Sequence, residues 1–163
     1  MKKRISLEKI LPEDFESFLT LVGNETVMAM ITERPLLREE AQKKFTSMLH
    51  NSGLDPLYGS FKVLEAAGSR LAGFAKLEIS EKNREEAELG FMLLPEFWGM
   101  GLGSEIAGIL LDIARSDTHL RRVFAIIDPD NKASRKILVN NGFVSEELGE
   151  FDGLPGEILA LSV

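Results

Sequence analysis

Residues 97–105 read "FWGMGLGSE", with Gly99, Gly101 and Gly103 set around Met100 and Leu102 where an apolar, strand-like run turns helical. Glycine accepts positive φ and leaves no side chain between its amide and a ligand. The first turn of a helix adds unpaired N–H groups and the positive end of the helix dipole. Together these make a seat for an anion of the size of a pyrophosphate; the same glycines would also serve a plain tight turn. Two known phosphate motifs fit poorly. A nucleotide P-loop ends in Gly-Lys-Ser/Thr, whereas this segment ends in Gly103, Ser104 and Glu105. A dinucleotide fingerprint needs a third glycine where Ser104 stands, and no acidic residue ends the following strand.

The elements that must hold this loop follow from periodicity. "RISLEKI" reads as a short strand, and "PEDFESFLTLVGNETVMAMI" as a helix with Phe15, Phe18, Leu19 and Val22 on one face. "LREEAQKKFTSMLHNSG" reads as a second helix, acidic early and glycine-closed. The period then changes: "YGSFKVLEA", "RLAGFAKLEIS" and "EAELGFMLL" are strands joined as antiparallel hairpins. After the glycines come a helix with Ile106, Ile109, Leu110 and Ile113 on one stripe and the strand "RRVFAII". "NKASRKILVN" is a helix stopped by "NG", and "FVSEEL" and "EILALSV" are the last two strands, with "GEFDGLPGE" between them as a short loop suited to a mobile lid. The order predicts a mixed α/β fold of about seven strands and four helices in a single domain over residues 1–163.

Composition narrows the partners. A net charge of -7 leaves no basic stripe for a nucleic-acid backbone and favours cationic partners. There is no cysteine, which excludes cysteine thiolate nucleophiles, cysteine metal sites and disulfides and permits a reducing compartment. The start "MKKRISLEKILPEDF" lacks a signal-peptide core, and no segment approaches the roughly 18 apolar residues of a membrane span, so the expectation is a cytoplasmic protein with no membrane partner. His50 and His119 lie far apart without metal or triad spacing, so no metal is expected. Trp98, the single tryptophan, is expected to fill a corner between sheet and helix.

The segment "FWGMGLGSE" resembles the acyl-coenzyme A pyrophosphate loop of the GNAT superfamily of N-acetyltransferases, in the W-G-x-G-x-G/A-S/T-E form of its ribosomal-protein-alanine acetyltransferase branch. "AELGFMLLPEFW" upstream, "NKASRKILVNNGF" downstream and "NETVMAMITERPLLREEA" near the start are similar to the same branch. The resemblance implies a mixed, mostly antiparallel sheet whose fourth and fifth strands, here residues 86 to 94 and 121 to 127, splay apart around the coenzyme's pantetheine arm. It implies acetyl-CoA as acyl donor, with backbone groups of Phe91, Met92 and Leu93 pairing with the pantetheine amides and those of Gly99, Met100, Gly101, Leu102, Gly103 and Ser104 holding the pyrophosphate.

The reaction it implies is direct attack of an amine on the thioester. Such an amine arrives protonated, with a pKa of about 8 for an α-amino group and about 10.4 for a lysine, so a base is required. Glu88 is the candidate, on the strand beside the thioester, where partial burial would favour a base; Glu86 shares its parity, and the fifth-strand position used by some relatives is Ile126, which accepts no proton. Many family members assist the leaving thiolate with a tyrosine seven residues after the helix-opening asparagine. Here Asn131 is followed at that distance by Leu138, and Ser134, one turn on, is the candidate donor. Capping accounts equally for Asn131 and Ser134. Arg135 and Lys136 either meet coenzyme phosphates or stand as solvated charges.

The acceptor in this family approaches over the first helices and the last hairpin, where Glu25, Glu33, Glu150, Asp152 and Glu157 would suit a cation: a protein amino terminus, ribosomal or other, or a small amine such as a polyamine or antibiotic. Solvated surface acids account for most of them equally well. A catalytically silent acyl-CoA-binding module is the alternative from another class. Family relatives are monomers or homodimers.

Overall fold

The computed structural model describes residues 4–163; residues 1–3 of the basic start lie outside the described residues. The chain runs β1 (Ile5–Lys9), α1 (Phe15–Val22), α2 (Glu25–Met28), α3 (Arg38–Ser52), β2 (Gly59–Glu65), β3 (Leu71–Ile79), β4 (Glu86–Leu93), α4 (Leu102–Ser116), β5 (Arg122–Ile127), α5 (Lys132–Asn140), β6 (Val144–Phe151) and β7 (Leu154–Ser162). All seven strands form one sheet in the order β1-β2-β3-β4-β5-β7-β6. Every neighbouring pair is antiparallel except β4 with β5. This is the mixed, mostly antiparallel α/β sheet that the sequence predicts.

Strand alternation divides the apolar residues between two faces. On β3, Phe74 joins a cluster with Phe18, Leu21, Val22 and Met28 of α1 and α2 and Phe45 of α3. Ala75 and Leu77 join a second cluster with Leu89, Val123 and Leu159 of the sheet and Ile106 and Leu110 of α4. Three helices therefore cover one face and α4 with α5 the other. The rings of Phe18 and Phe74 meet edge-on, 5.5 Å apart at 90°. The predicted stripe of α4 holds, with Ile106 and Leu110 fully buried and Ile109 and Ile113 packed at its margin.

Two local expectations change. The first predicted helix is two: α1 ends at Gly23, and Asn24 restarts the chain as α2 by accepting the Val27 N–H at 3.1 Å. An asparagine in extended backbone with a free side-chain oxygen is a strong N-cap, and it outcompetes helix continuation through Gly23. The last hairpin has no lid. β6 runs to Phe151 and β7 starts at Leu154, with only Asp152 (φ 52°) and Gly153 (φ 78°) between them. Two consecutive positive φ values make the Asp-Gly turn that matches strand twist, so the segment is paired backbone to its tip.

Candidate active site

The parallel ladder between β4 and β5 is short. It pairs Glu86 with Arg122, Ala87 with Val123 and Glu88 with Phe124, and stops. Beyond it, β4 stays paired with β3 as far as Leu93 and β5 with β7 as far as Ile127, so the two strands are drawn apart by their outer neighbours. The β5-facing edge of residues 89–93 has no strand partner among the described residues. Which backbone groups line the gap follows from parity. The Leu94 N–H donates to the Ala72 carbonyl, so even-numbered residues of β4 bond to β3 and odd-numbered ones face the gap. Phe91 therefore offers both backbone groups to the gap, whereas Met92 is committed to β3 opposite Phe74. The Leu93 carbonyl receives the Trp98 indole N–H at 2.9 Å. The expected trio of Phe91, Met92 and Leu93 thus narrows to Phe91 and the Leu93 N–H.

Trp98 itself corrects an expectation: it is 48% exposed, standing beside the gap rather than filling a corner. Its indole N–H needs an acceptor, and the carbonyl at the end of β4 is within reach.

The gap opens towards the mouth of α4. Gly99 has φ 73° and Gly101, the N-cap of α4, φ 77°, both in the left-handed region. Leu102 is buried and anchors the loop in the core, while Met100 is exposed. The first amide to find an acceptor is that of Glu105, bonded to the Gly101 carbonyl at 3.3 Å. Among the described residues, the N–H groups of 99–104 donate to no protein acceptor, as the start of a helix requires. Gly103 is different in kind. A Cβ there would stand 2.7 Å from Ile137 Cδ1 and 3.1 Å from Phe91 Cε2, so its missing side chain serves the packing of α4 against α5 and β4.

A residue not singled out from the sequence braces this loop. Arg4 donates from its backbone N–H to Glu105 Oε1 at 2.8 Å, from Nε to Oε2 at 3.1 Å, and from Nη1 to the Met100 carbonyl at 2.6 Å. It thereby offsets the one acidic side chain in the first turn of α4.

At the last position where β4 pairs with β5, Glu88 is 29% exposed and its Oε2 lies 3.1 Å from Lys76 Nζ of β3. Glu86, its rival by parity, is bound by Arg122 at 2.7 Å at the closed end of the ladder. Glu78 lies directly across the ladder from Glu88, and Lys44 of α3 belongs to the same group. Desolvation by neighbouring atoms and then repulsion from Lys76 lower the Lys44 pKa, against the opposing charges of Glu78 and Glu88, while the residue as a whole stays exposed.

On α5, Asn131 caps the helix by accepting the Ser134 N–H at 3.2 Å, so its side-chain oxygen is engaged. Ser134 is half-buried on the first turn, and Lys136 is exposed. Leu138 is fully buried among the apolar residues around α4. Arg135 donates from Nε to Glu157 at 3.1 Å, so it is not a free coenzyme ligand, and Glu157, 3% exposed, is not a surface acid for a cationic acceptor. Burial pushes the Glu157 pKa up, but hydrogen bonds from Ser145 and Arg135 and the charge of Arg135 outweigh it and hold the carboxyl below its usual range. Glu25, Glu33, Glu150 and Asp152 are exposed. A surface hollow lined by Arg122, Gly142, Val144 and Glu146 lies at the closed end of β5, away from the gap. Among the described residues no group of His, Asp and Glu could hold a metal, and no helix is long and apolar enough to cross a membrane.

A parallel strand pair that opens onto a helix mouth of unbonded amides is the arrangement of a known domain. The model of the acetyltransferase (GNAT) domain matches residues 4–144, and the chain belongs to this family. An uncharacterised N-acetyltransferase, p20, of Bacillus licheniformis is 23% identical over 146 residues, 90% of this chain and 82% of that protein. Among solved structures, spermidine N-acetyltransferase from Vibrio cholerae, in complex with CoA and spermine, superposes with a TM-score of 0.80 at 20% identity, over 99% of this chain and 96% of that one. RimL, the ribosomal L7/L12 alpha-N-protein acetyltransferase in complex with CoA, gives a TM-score of 0.79 at 19% identity, over 99% and 96%.

Proposed function

We propose that the chain acts as one N-acetyltransferase domain that moves the acetyl group of acetyl-CoA directly to a primary amine, without a metal, in the cytoplasm. The observation that carries this reading is the end of the β4 and β5 ladder at Glu88, beside a strand edge that has no partner among the described residues and leads to the amides of residues 99–104, which are likewise unbonded among those residues. The residues present fit the coenzyme. Phe91 and the Leu93 N–H would receive the pantetheine amides as an added strand would, and the loop amides with the α4 dipole would receive the pyrophosphate. Bound there, acetyl-CoA supplies an activated thioester. Glu88 takes one proton from the incoming ammonium, the freed nitrogen bonds to the acetyl carbon as the carbon–sulfur bond breaks, and a second nitrogen proton ends on the coenzyme thiolate. Ser134 donates a hydrogen bond to the departing thiolate; Leu138 has no polar hydrogen to offer.

For the acceptor, we favour a protein amino terminus, as in the ribosomal-protein-alanine acetyltransferase branch that the loop and α5 motifs resemble. A small amine is the second reading, and the fold shared with an enzyme solved with spermine supports it. The Lys76 and Glu88 pair bears on both, because any cationic acceptor must displace one ammonium to reach the carboxylate. Detection of free CoA thiol across amino-terminal peptides, polyamines and aminoglycosides tests the reading. Turnover with at least one class, lost in Glu88→Gln while CoA still binds, is the expected result; CoA binding without turnover on any amine would leave a non-catalytic binding module.

A further inference from the structure

We propose that Lys76 is an acetyl acceptor in its own right, so that the chain acetylates itself at this position with Glu88 as the base. The inference rests on the acetyltransferase reading above. An acceptor amine must stand within hydrogen-bond reach of the base, and Lys76 Nζ already does, 3.1 Å from Glu88 Oε2.

The backbone beneath it makes this possible. Lys76 lies opposite Gly90 in the β3 and β4 ladder. A Cβ at position 90 would come within 3.1 Å of Lys76 Cε and 3.4 Å of Cγ, so the lysine stem rests on bare β4 backbone, in the stretch where pairing with β5 has ended. With its side chain 37% exposed, Lys76 keeps the freedom to turn its nitrogen towards the gap. The other lysines of the neighbouring strands are tied elsewhere. Lys62 lies between Asp14 and Glu8, and Lys9 donates to the carbonyls of Ser52 and Asp55. Lys44, near the same carboxylates, is the competing site.

The step balances without a further reactant. The Lys76 ammonium gives one proton to Glu88 and becomes a free amine. Its nitrogen attacks the thioester carbonyl, the nitrogen–carbon bond forms and the carbon–sulfur bond breaks. The second nitrogen proton ends on the coenzyme thiolate. The products are an acetamide at position 76, free CoA thiol and one proton passed from Glu88 to solvent.

The full chain, incubated with acetyl-CoA and no other amine, is followed by intact mass and peptide mapping, with CoA binding measured separately by calorimetry. One acetyl group is expected on Lys76, at a rate per molecule independent of protein concentration. Lys76→Arg removes it, and Glu88→Gln slows it by about a hundredfold or more with CoA still bound. An excess of an unreactive thioether analogue of acetyl-CoA suppresses the labelling, a readout that needs no variant. Bound acetyl-CoA with Lys76 unlabelled, label on Lys44 instead, or equal rates in wild type and Glu88→Gln would each overturn the inference. If external amines are still acetylated in those cases, the acetyltransferase reading stands. If CoA fails to bind at all, both fall.

Discussion

Arg4 and Glu105, just before β1 and in the first turn of α4, are joined through both carboxylate oxygens, at 2.8 Å from the Arg4 backbone N–H and 3.1 Å from Nε. The same guanidinium holds the Met100 carbonyl between the two left-handed glycines. A carboxylate at a helix mouth suits the helix dipole but opposes a second anion there, and Arg4 removes that opposition while fixing the loop. Arg4→Ala is expected to weaken CoA binding by about tenfold, roughly 1.4 kcal/mol, with little change in melting temperature, because Arg4 is exposed. Calorimetric titration with CoA is the check; unchanged affinity would return Arg4 to the surface.

Gly101 and Gly103 separate binding from packing. Among the described residues the only atom that a Cβ added at Gly101 would approach is Arg4 Nη2, at 3.4 Å, but φ of 77° is a left-handed conformation that costs a side-chain-bearing residue about 1 kcal/mol or more. Gly101→Val should therefore loosen CoA by tenfold or more while the sheet and helices persist by circular dichroism. Gly103→Ala should act the other way round. Its Cβ would press on Ile137 and Phe91, so the expected loss is about 1–3 kcal/mol of fold stability, read in a denaturant melt.

The order of elements is legible in the sequence because each carries its own period, and the splay follows from a family resemblance that the β4 and β5 register bears out. What escapes is tertiary. Nothing local says that Glu157, in an alternating strand, is buried and clasped by Arg135 twenty-two positions away. Nor does local pattern show that Trp98 caps the end of β4, or that Lys76 lies across Gly90. The Asp152-Gly153 turn is the exception: Asp-Gly between alternating residues is a hairpin signature, and the surrounding glycines and proline obscure it.

On α5 the expected effect of Ser134→Ala is kinetic. The hydroxyl takes no part in the cap, since Asn131 is bonded to the Ser134 backbone N–H, which alanine retains. Transfer should slow by about tenfold with CoA affinity unchanged, measured by thiol release at saturating CoA. Leu138→Tyr should not restore a donor. Its site is fully buried, so the larger ring is expected to cost about 1–3 kcal/mol of stability instead.

The Arg135 and Glu157 pair sets an acid limit. The folded Glu157 pKa lies below its unfolded value, so its contribution is fully present above the unfolded value of about 4.3 and is lost as pH falls through the folded one. Glu40, held down to about 2 by Arg34 and by the Leu37 N–H, loses its contribution over the same descent. Melting temperature should therefore be level from pH 7 to about 5 and decline below that. Arg135→Ala leaves a carboxylate that is 3% exposed with the Ser145 hydrogen bond but without its cation, at an expected cost of about 2 kcal/mol at pH 7, discounted because Arg135 is itself half in water. Without the arginine, burial raises the Glu157 pKa, so the variant takes up its proton earlier and the gap to wild type should narrow as pH falls from about 5 towards 3. Thermal melts of both proteins across that range are the measurement, and a gap that stayed constant would mean that the pair is not what holds Glu157 ionised.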